Sequence, residues 1–419
     1  MSSETVSSSG PQVVHLRPRA RRSVHHDSVS SFSCAATRKV QNGAVVASEG
    51  EPSARTPVPP AASQRCLRGG VTCYIARMAS PELPILDFVL TNYKNFNARA
   101  TRDAMIAYWR HIEEGGRMFW AVAGAMSSAQ LGITLAPAIR AGLVHGLSVT
   151  GANLEESLFR LVAHHGYKDF PDYRYLTKQD DTDILEARMR RVTDTSIPED
   201  EAFRAVEKYI VPMWKNTTAS GGRRFWHDYF YELIQHVDPG TYEGNPEECW
   251  LLAAARANLP VVVPGHEDST FGNIFASYVR TGECNASIVK SGIEYMAALY
   301  DQYQVLSEGK GVGFFQIGGG IAGDFPICVV PSIKYDLQQP VKPWAYFCQI
   351  SDSTTSYGSY SGATPNEKIT WDKLTRDTPM FVVESDATIV APLILRALLE
   401  CKAHPQAANA LIRERMGTG

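Results

Sequence analysis

The stretch SGATPNEKITWDKL, Ser361 to Leu374, sets Glu367, Trp371 and Lys373 just after a run of small, turn-forming residues that includes Gly358 shortly upstream. A lysine is a nucleophile only as its neutral amine, so it needs surroundings that favour loss of the proton. Desolvation beside apolar groups supplies them, and the chemistry gained is Schiff-base formation with a carbonyl or imine carbon. If residues 369–373 are extended, Ile369, Trp371 and Lys373 share one face and the amine lies against an indole. If Thr370 instead caps a helix, Lys373 stands in its first turn, where the positive dipole end acts the same way on an amine. Spacing alone still favours an ordinary solvated lysine.

Other clusters have chemical potential too. GGGIAGD, Gly318 to Asp324, follows an apolar run, and its missing side chains would let a dinucleotide approach the backbone; a tight turn reads equally well. In ESDAT, Glu384 to Thr388, Asp386 either accepts hydrogen bonds from a ribose or caps a helix through the Thr388 amide. Glu155 and Glu156 open a helix-like segment, where the dipole welcomes carboxylates. His266 and the pair His164 and His165 lack ligand spacing, so no metal is expected. There is no nucleophile elbow, phosphate-binding Walker loop or metalloprotease signature.

The elements that must position these residues alternate along the chain. Runs at 118–125, 146–153, 259–265, 311–320, 344–350 and 380–388 read as strands, apolar at first and then small or polar. Between them lie helix-like segments, among them one with Leu131, Leu135, Ile139 and Leu143 at four-residue spacing. Continuous apolar strands alternating with helices predict an α/β, Rossmann-like fold: a mostly parallel sheet with helices on both faces. Ligands of such sheets bind beyond the strands' carboxyl ends, where the clusters at 151–156, 265–273, 318–324, 351–361 and 384–388 fall. A charged, helical-patterned segment, 180–239, reads as an added layer.

Composition narrows the class. Of 419 residues, 44% are apolar and 20% charged, with a formal net charge of -3, so neither nucleic acid nor a basic partner is implied. The apolar runs are too short to span a bilayer. Eight cysteines form no CxxC pair, which suits free thiols in a reducing, cytoplasmic setting. Residues 1–77 are rich in Ser, Pro and Arg, with four acids (Glu4, Asp27, Glu49, Glu51), and predict a disordered extension. They read either as an organelle leader or as lying upstream of a natural start at Met78, with 78–419 as the catalytic domain.

The ordered set SVTGANLEE, VVPGHEDSTFGN, GFFQIGGG, FCQISDSTTSYGSYSGATPNEKITWDKL and ESDATIVAPLIL resembles deoxyhypusine synthase, particularly its bacterial synthase-like relatives, over about Leu83 to Leu399. The resemblance implies an NAD-dependent aminoalkyl transferase, a homotetramer with sites shared across a dimer interface, acting on a di- or polyamine. It implies that Lys373 carries the imine, that Trp371, Glu367 and Gly358 line the substrate pocket, and that Glu156, Asp268, Asp386 and Ala387 contact NAD. Departures are visible. Asp324 and Phe325 stand where deoxyhypusine-forming members have a histidine pair, and Asn273 and Tyr360 replace expected aspartates. Each lost carboxylate removes a partner for a buried ammonium. Polyamine recognition is therefore rebuilt, with Asp324 as a replacement charge, and the expected acceptor is a small amine and not a protein lysine. Two other readings stay open: an NAD-dependent amine dehydrogenase or imine reductase, and a non-catalytic regulatory paralogue.

Overall fold

A computed structural model describes residues 82–356 and 363–417. Its centre is a six-stranded sheet built from β1 (Arg117–Val122), β2 (Gly146–Val149), β6 (Val261–Val262), β7 (Val312–Ile317), β8 (Tyr346–Ser351) and β9 (Met380–Glu384). The order is β6-β2-β1-β7-β8-β9, and every pairing is parallel. Strands β2, β7 and β8 are buried along their whole length, which is why they read as largely apolar runs, with Ser148, Gln316, Gln349 and Ser351 as their buried polar members. From β1 the chain steps outward through β2 and β6, then returns to the far side of β1 for β7, β8 and β9. The β1/β7 boundary is thus the topological switch point, where open α/β sheets leave a crevice at the carboxyl ends of their strands.

Aromatic side chains lock the register of the central strands. Phe119, Phe314 and Phe347 are cross-strand partners on β1, β7 and β8. Neighbouring rings stack nearly parallel at centroid separations of 6.3 and 6.2 Å. On the opposite face, Trp120 stacks on Phe315 at 4.2 Å and donates its indole N–H to the Tyr108 hydroxyl. Tyr108 in turn donates to the Leu143 carbonyl at 2.6 Å, so no polar atom of this buried chain is left unmade. Helices Phe96–Glu113 and Ala387–Ala403 pack on that face. The phenylalanine ladder is covered by Trp344, whose indole N–H reaches the Ile327 carbonyl at the end of helix Ile321–Ile327.

The α/β, mostly parallel architecture matches the sequence expectation. The segment 180–239 does not read fully correctly. It contains β4 (Met189–Val192) and β5 (Thr195–Pro198), an antiparallel pair joined by β3 (Lys168–Asp169) into a small separate sheet, ahead of helices Ala205–Ser220 and Trp226–His236. Arg188, Arg190 and Arg204 all meet the buried carboxylate of Glu199 there. The charges that suggested a solvated helix face instead tie this sheet to the turn after it. Among the described residues no helix is long and apolar enough to cross a membrane. The expected 1–77 extension and Gly358 lie outside the described residues.

Candidate active site

At the carboxyl ends the sequence places its glycines where the backbone must stay open. Gly124 follows β1 with φ 65° and Gly320 follows β7 with φ 66°, conformations that L side chains rarely adopt. Neither has any heavy atom within 4 Å of where a Cβ would stand. These two open backbone segments border the switch point. A dinucleotide fits this donor set: bare backbone suits phosphates, and the exposed carboxylates of Asp268 and Asp386 suit ribose hydroxyls.

Asp386 does cap the helix Ala387–Ala403, accepting from the Thr388 amide at 2.8 Å and from the Thr388 hydroxyl at 2.8 Å. One carboxylate oxygen serves both bonds. The capping alternative therefore holds, and the carboxylate is fixed beyond the carboxyl end of edge strand β9, beside buried Ala387.

Glu155 and Glu156 depart from the expectation that they meet the dipole of their own helix. That helix, Gly151–Val162, is capped by Thr150, and neither glutamate falls in its first turn. Glu155 reaches across to the next βα unit. Its two oxygens accept the amides of Thr270 and Phe271 at 2.8 and 2.9 Å, at the start of helix Thr270–Arg280. Burial dominates its titration and pushes it up to about 7, against the lowering effect of those two amides. Glu156 is also buried and accepts from the Ser128 amide at 3.1 Å and from the Ser128 hydroxyl. Burial raises its pKa as well, opposed by the Ser128 bonds. Sequence reading missed Ser128 as its partner. His266 stacks on Trp226 at 4.8 Å, and burial lowers its pKa. Among the described residues no group of His, Cys, Asp and Glu could hold a metal ion.

Lys373 follows neither of the two expected geometries. A short helix, Pro365–Thr370, begins with proline at its first position, where a missing N–H costs nothing. It ends because Asp372 turns into the left-handed region at φ 57°. The Asp372 amide donates to the Ile369 carbonyl at 2.9 Å, and the Lys373 amide to the Lys368 carbonyl at 3.0 Å. These two bonds are a Schellman motif, with aspartate where glycine is usual. Lys373 is thus the residue just past a helix end, half-buried, its Nζ 5.7 Å from the ring centroid of Trp371. Trp371 is 67% exposed. Glu367 lies exposed on the same helix, and Asp324 is exposed on helix Ile321–Ile327.

The two halves lie at opposite ends of the sheet. The Lys373 carbonyl accepts from the Trp344 amide at 3.1 Å, just before β8 begins, whereas Asp386 follows the end of β9. Five strand steps from Tyr346 to Ser351, at about 3.3 Å each, put roughly 16 Å between those levels. The backbones of Lys373 and Asp386 are therefore set at different levels along the strands.

Residues 89–398 match the sequence profile of the family described as deoxyhypusine synthase. A deoxyhypusine synthase-like protein of Thermosynechococcus vestitus is 27% identical over 68% of this chain and 70% of its own length. One from Nostoc sp. is 25% identical over 78% of this chain and 84% of its own. An archaeal relative from Methanosarcina acetivorans, named "Probable deoxyhypusine synthase 1", is 23% identical over 72% of this chain and 86% of its own.

Proposed function

The chain belongs to the deoxyhypusine synthase family, and from that premise we propose that it transfers an aminoalkyl group from a di- or polyamine to an acceptor amine. Lys373 carries the group as an imine. Glu156, Asp268, Asp386 and Ala387 would hold NAD, which would supply hydride acceptance and return when bound. The observation that carries this reading is the pairing of Lys373 with an exposed indole on a rigid helix end.

Each residue has a definite task. The Trp371 face favours the cationic nitrogens and methylene stem of a polyamine. Glu367, one turn earlier, holds a terminal ammonium, and Asp324 offers a second anionic anchor. The Schellman bonds fix the Lys373 backbone, so its amine approaches an imine carbon without ordering a loop first. The separation of Lys373 from the cofactor side within one chain favours sites completed by a second copy, in keeping with an assembly such as a homotetramer. A small-amine acceptor, and not a protein lysine, follows from Asp324, Phe325 and Asn273 at the departing positions; Asn273 spends its amide on the Ser269 carbonyl at 2.7 Å.

The test is direct. The protein is incubated with NAD and labelled spermidine or putrescine, then treated with borohydride. Label fixed to the parent chain and absent from Lys373→Ala is the expected result; label retained by Lys373→Ala refutes the assignment. Net accumulation of NADH without any acceptor would favour an amine dehydrogenase instead.

A further inference from the structure

A second lysine stands beside the first. Lys368 is the helix residue whose carbonyl receives the Lys373 amide, so the Schellman bond ties the two backbones together. Helix ends of this type usually bring two apolar side chains into contact at these positions. Here both are lysines, and both are half-buried. The Lys368 Nζ lies 4.9 Å from the ring centroid of Phe347, so it closes the end of the Phe119–Phe314–Phe347 ladder. An amine over the face of a buried aromatic row has lost much of its water. Asp324 and Glu367 are the anionic groups within electrostatic reach, and Lys373 is the cationic one.

We propose that Lys368 is the base of this site, its neutral amine taking the proton that an incoming alkylammonium must shed before its nitrogen can attack carbon. The inference rests on the transferase reading of Lys373. Desolvation, then the charge of Lys373, lowers the Lys368 pKa, while Asp324 and Glu367 oppose the shift. That balance suits a shuttle: the neutral amine is accessible, and the ammonium formed has carboxylates to meet it. The step conserves atoms and charge. Lys368 gains the proton and the acceptor becomes a free amine. Its nitrogen bonds to the carbon of the protonated Lys373 imine, and the Lys373 carbon–nitrogen bond breaks, returning the lysine as a free amine. The product is the protonated imine of the acceptor. No oxidant or reductant enters this exchange.

Two measurements test the proposal on the full chain. Competitive acetylation with acetic anhydride between pH 6 and 11, read by peptide mass spectrometry, reports each amine against exposed Lys178 and Lys402. Lys368 is expected to reach half-modification at a lower pH than those references, because burial favours its neutral amine. In Lys373→Ala its midpoint moves back toward them, because a neighbouring positive charge is gone. Second, Lys368→Met keeps the stem and is expected to retain borohydride-trapped label on Lys373. It loses about a hundredfold or more in the rate of transfer to the acceptor. The loss shrinks at high pH, where the free acceptor amine is abundant; a merely structural role would not produce that pH dependence. Lys368 titrating with the references overturns the proposal, as does an unchanged transfer rate in Lys368→Met. If the parent chain traps no label on Lys373, the transferase reading falls and takes the base role with it. Trapped label with ordinary Lys368 titration removes the base role alone.

Discussion

Replacing Glu155 by glutamine probes the joint between the segments that carry Glu156 and Asp268. The side chain is 2% exposed and satisfies two of the amides left unpaired at the start of helix Thr270–Arg280. Burial raises its pKa from the ordinary 4.5 to about 7. The folded chain therefore binds this proton more tightly than the unfolded chain between those values. Stability from the group is fully present below pH 4.5 and is lost as the pH rises through 7. At 1.36 kcal/mol per pH unit the whole window is worth about 3 kcal/mol, most of which falls between pH 5 and pH 8. Other buried groups slope the opposite way: His145 and His227, both lowered to about 4 by burial, weaken the fold as they charge in acid. The parent curve alone is thus uninformative, and the difference between parent and Glu155→Gln isolates the carboxyl. Glutamine accepts one of the two amides but turns a donor toward the other, a cost of about 1–3 kcal/mol. Urea unfolding followed by tryptophan fluorescence, with both proteins at one concentration, gives that difference at each pH. The variant is expected to be clearly less stable at pH 5 and close to the parent, or above it, at pH 8. A gap that stays constant with pH would refute the assignment of a protonated, buried Glu155.

Three further substitutions read local geometry. Asp372 sits at φ 57° and pairs with Lys334 and Tyr335; both Asp372→Gly and Asp372→Val lose that pairing, so their difference reports the backbone alone. The valine variant is expected to be less stable by about 1–2 kcal/mol in parallel urea titrations. At Gly272 a Cβ would stand 2.5 Å from the His266 carbonyl oxygen and 2.8 Å from that of Glu267; Gly272→Ala is expected to lower the urea midpoint by more than any exposed alanine substitution. Ser128→Ala removes a hydroxyl bond that lowers the Glu156 pKa; the Glu156 midpoint is expected to rise further, and NAD affinity measured by calorimetry to fall.

The central strands were legible because burial on both faces favours apolar residues at most positions, as in Val312–Ile317 and Tyr346–Ser351. Switch-point glycines were legible for the same physical reason, that only glycine takes their backbone angles without strain. The β4–β5 pair was not. Its strands read MRRV and TSIP, and their arginines answer to carboxylates outside the pair, Glu199 and Asp181, that no local period reveals. The end of helix Pro365–Thr370 was hidden too, since aspartate at a left-handed position gives none of the signal a glycine would. Lys368 passed unnoticed as a consequence. Its pairing with Lys373 follows from the Schellman bond, and that bond depends on Asp372.

The distribution of these parts over one sheet leads to a last prediction. The Lys373 backbone lies near the amino end of β8 and Asp386 beyond the end of β9, so a reaction that uses both is expected to bring one chain's lysine to its partner's carboxylates. Lys373→Ala and a cofactor-side variant such as Asp268→Ala would each disable both sites of a homodimer. In a heterodimer of the two, one site collects both lesions and the other collects neither. Random mixing at equal amounts makes about half the dimers mixed, and half their sites intact, so about a quarter of parental transfer activity is expected to return. Co-expression with two affinity tags and purification of the doubly tagged species should raise that to about half. Complementation is a sharper readout than assembly size, because a dimer that merely packs would recover nothing. If the mixed species stays as inactive as its parents while each variant chain still folds and associates, then lysine and carboxylates work within one subunit.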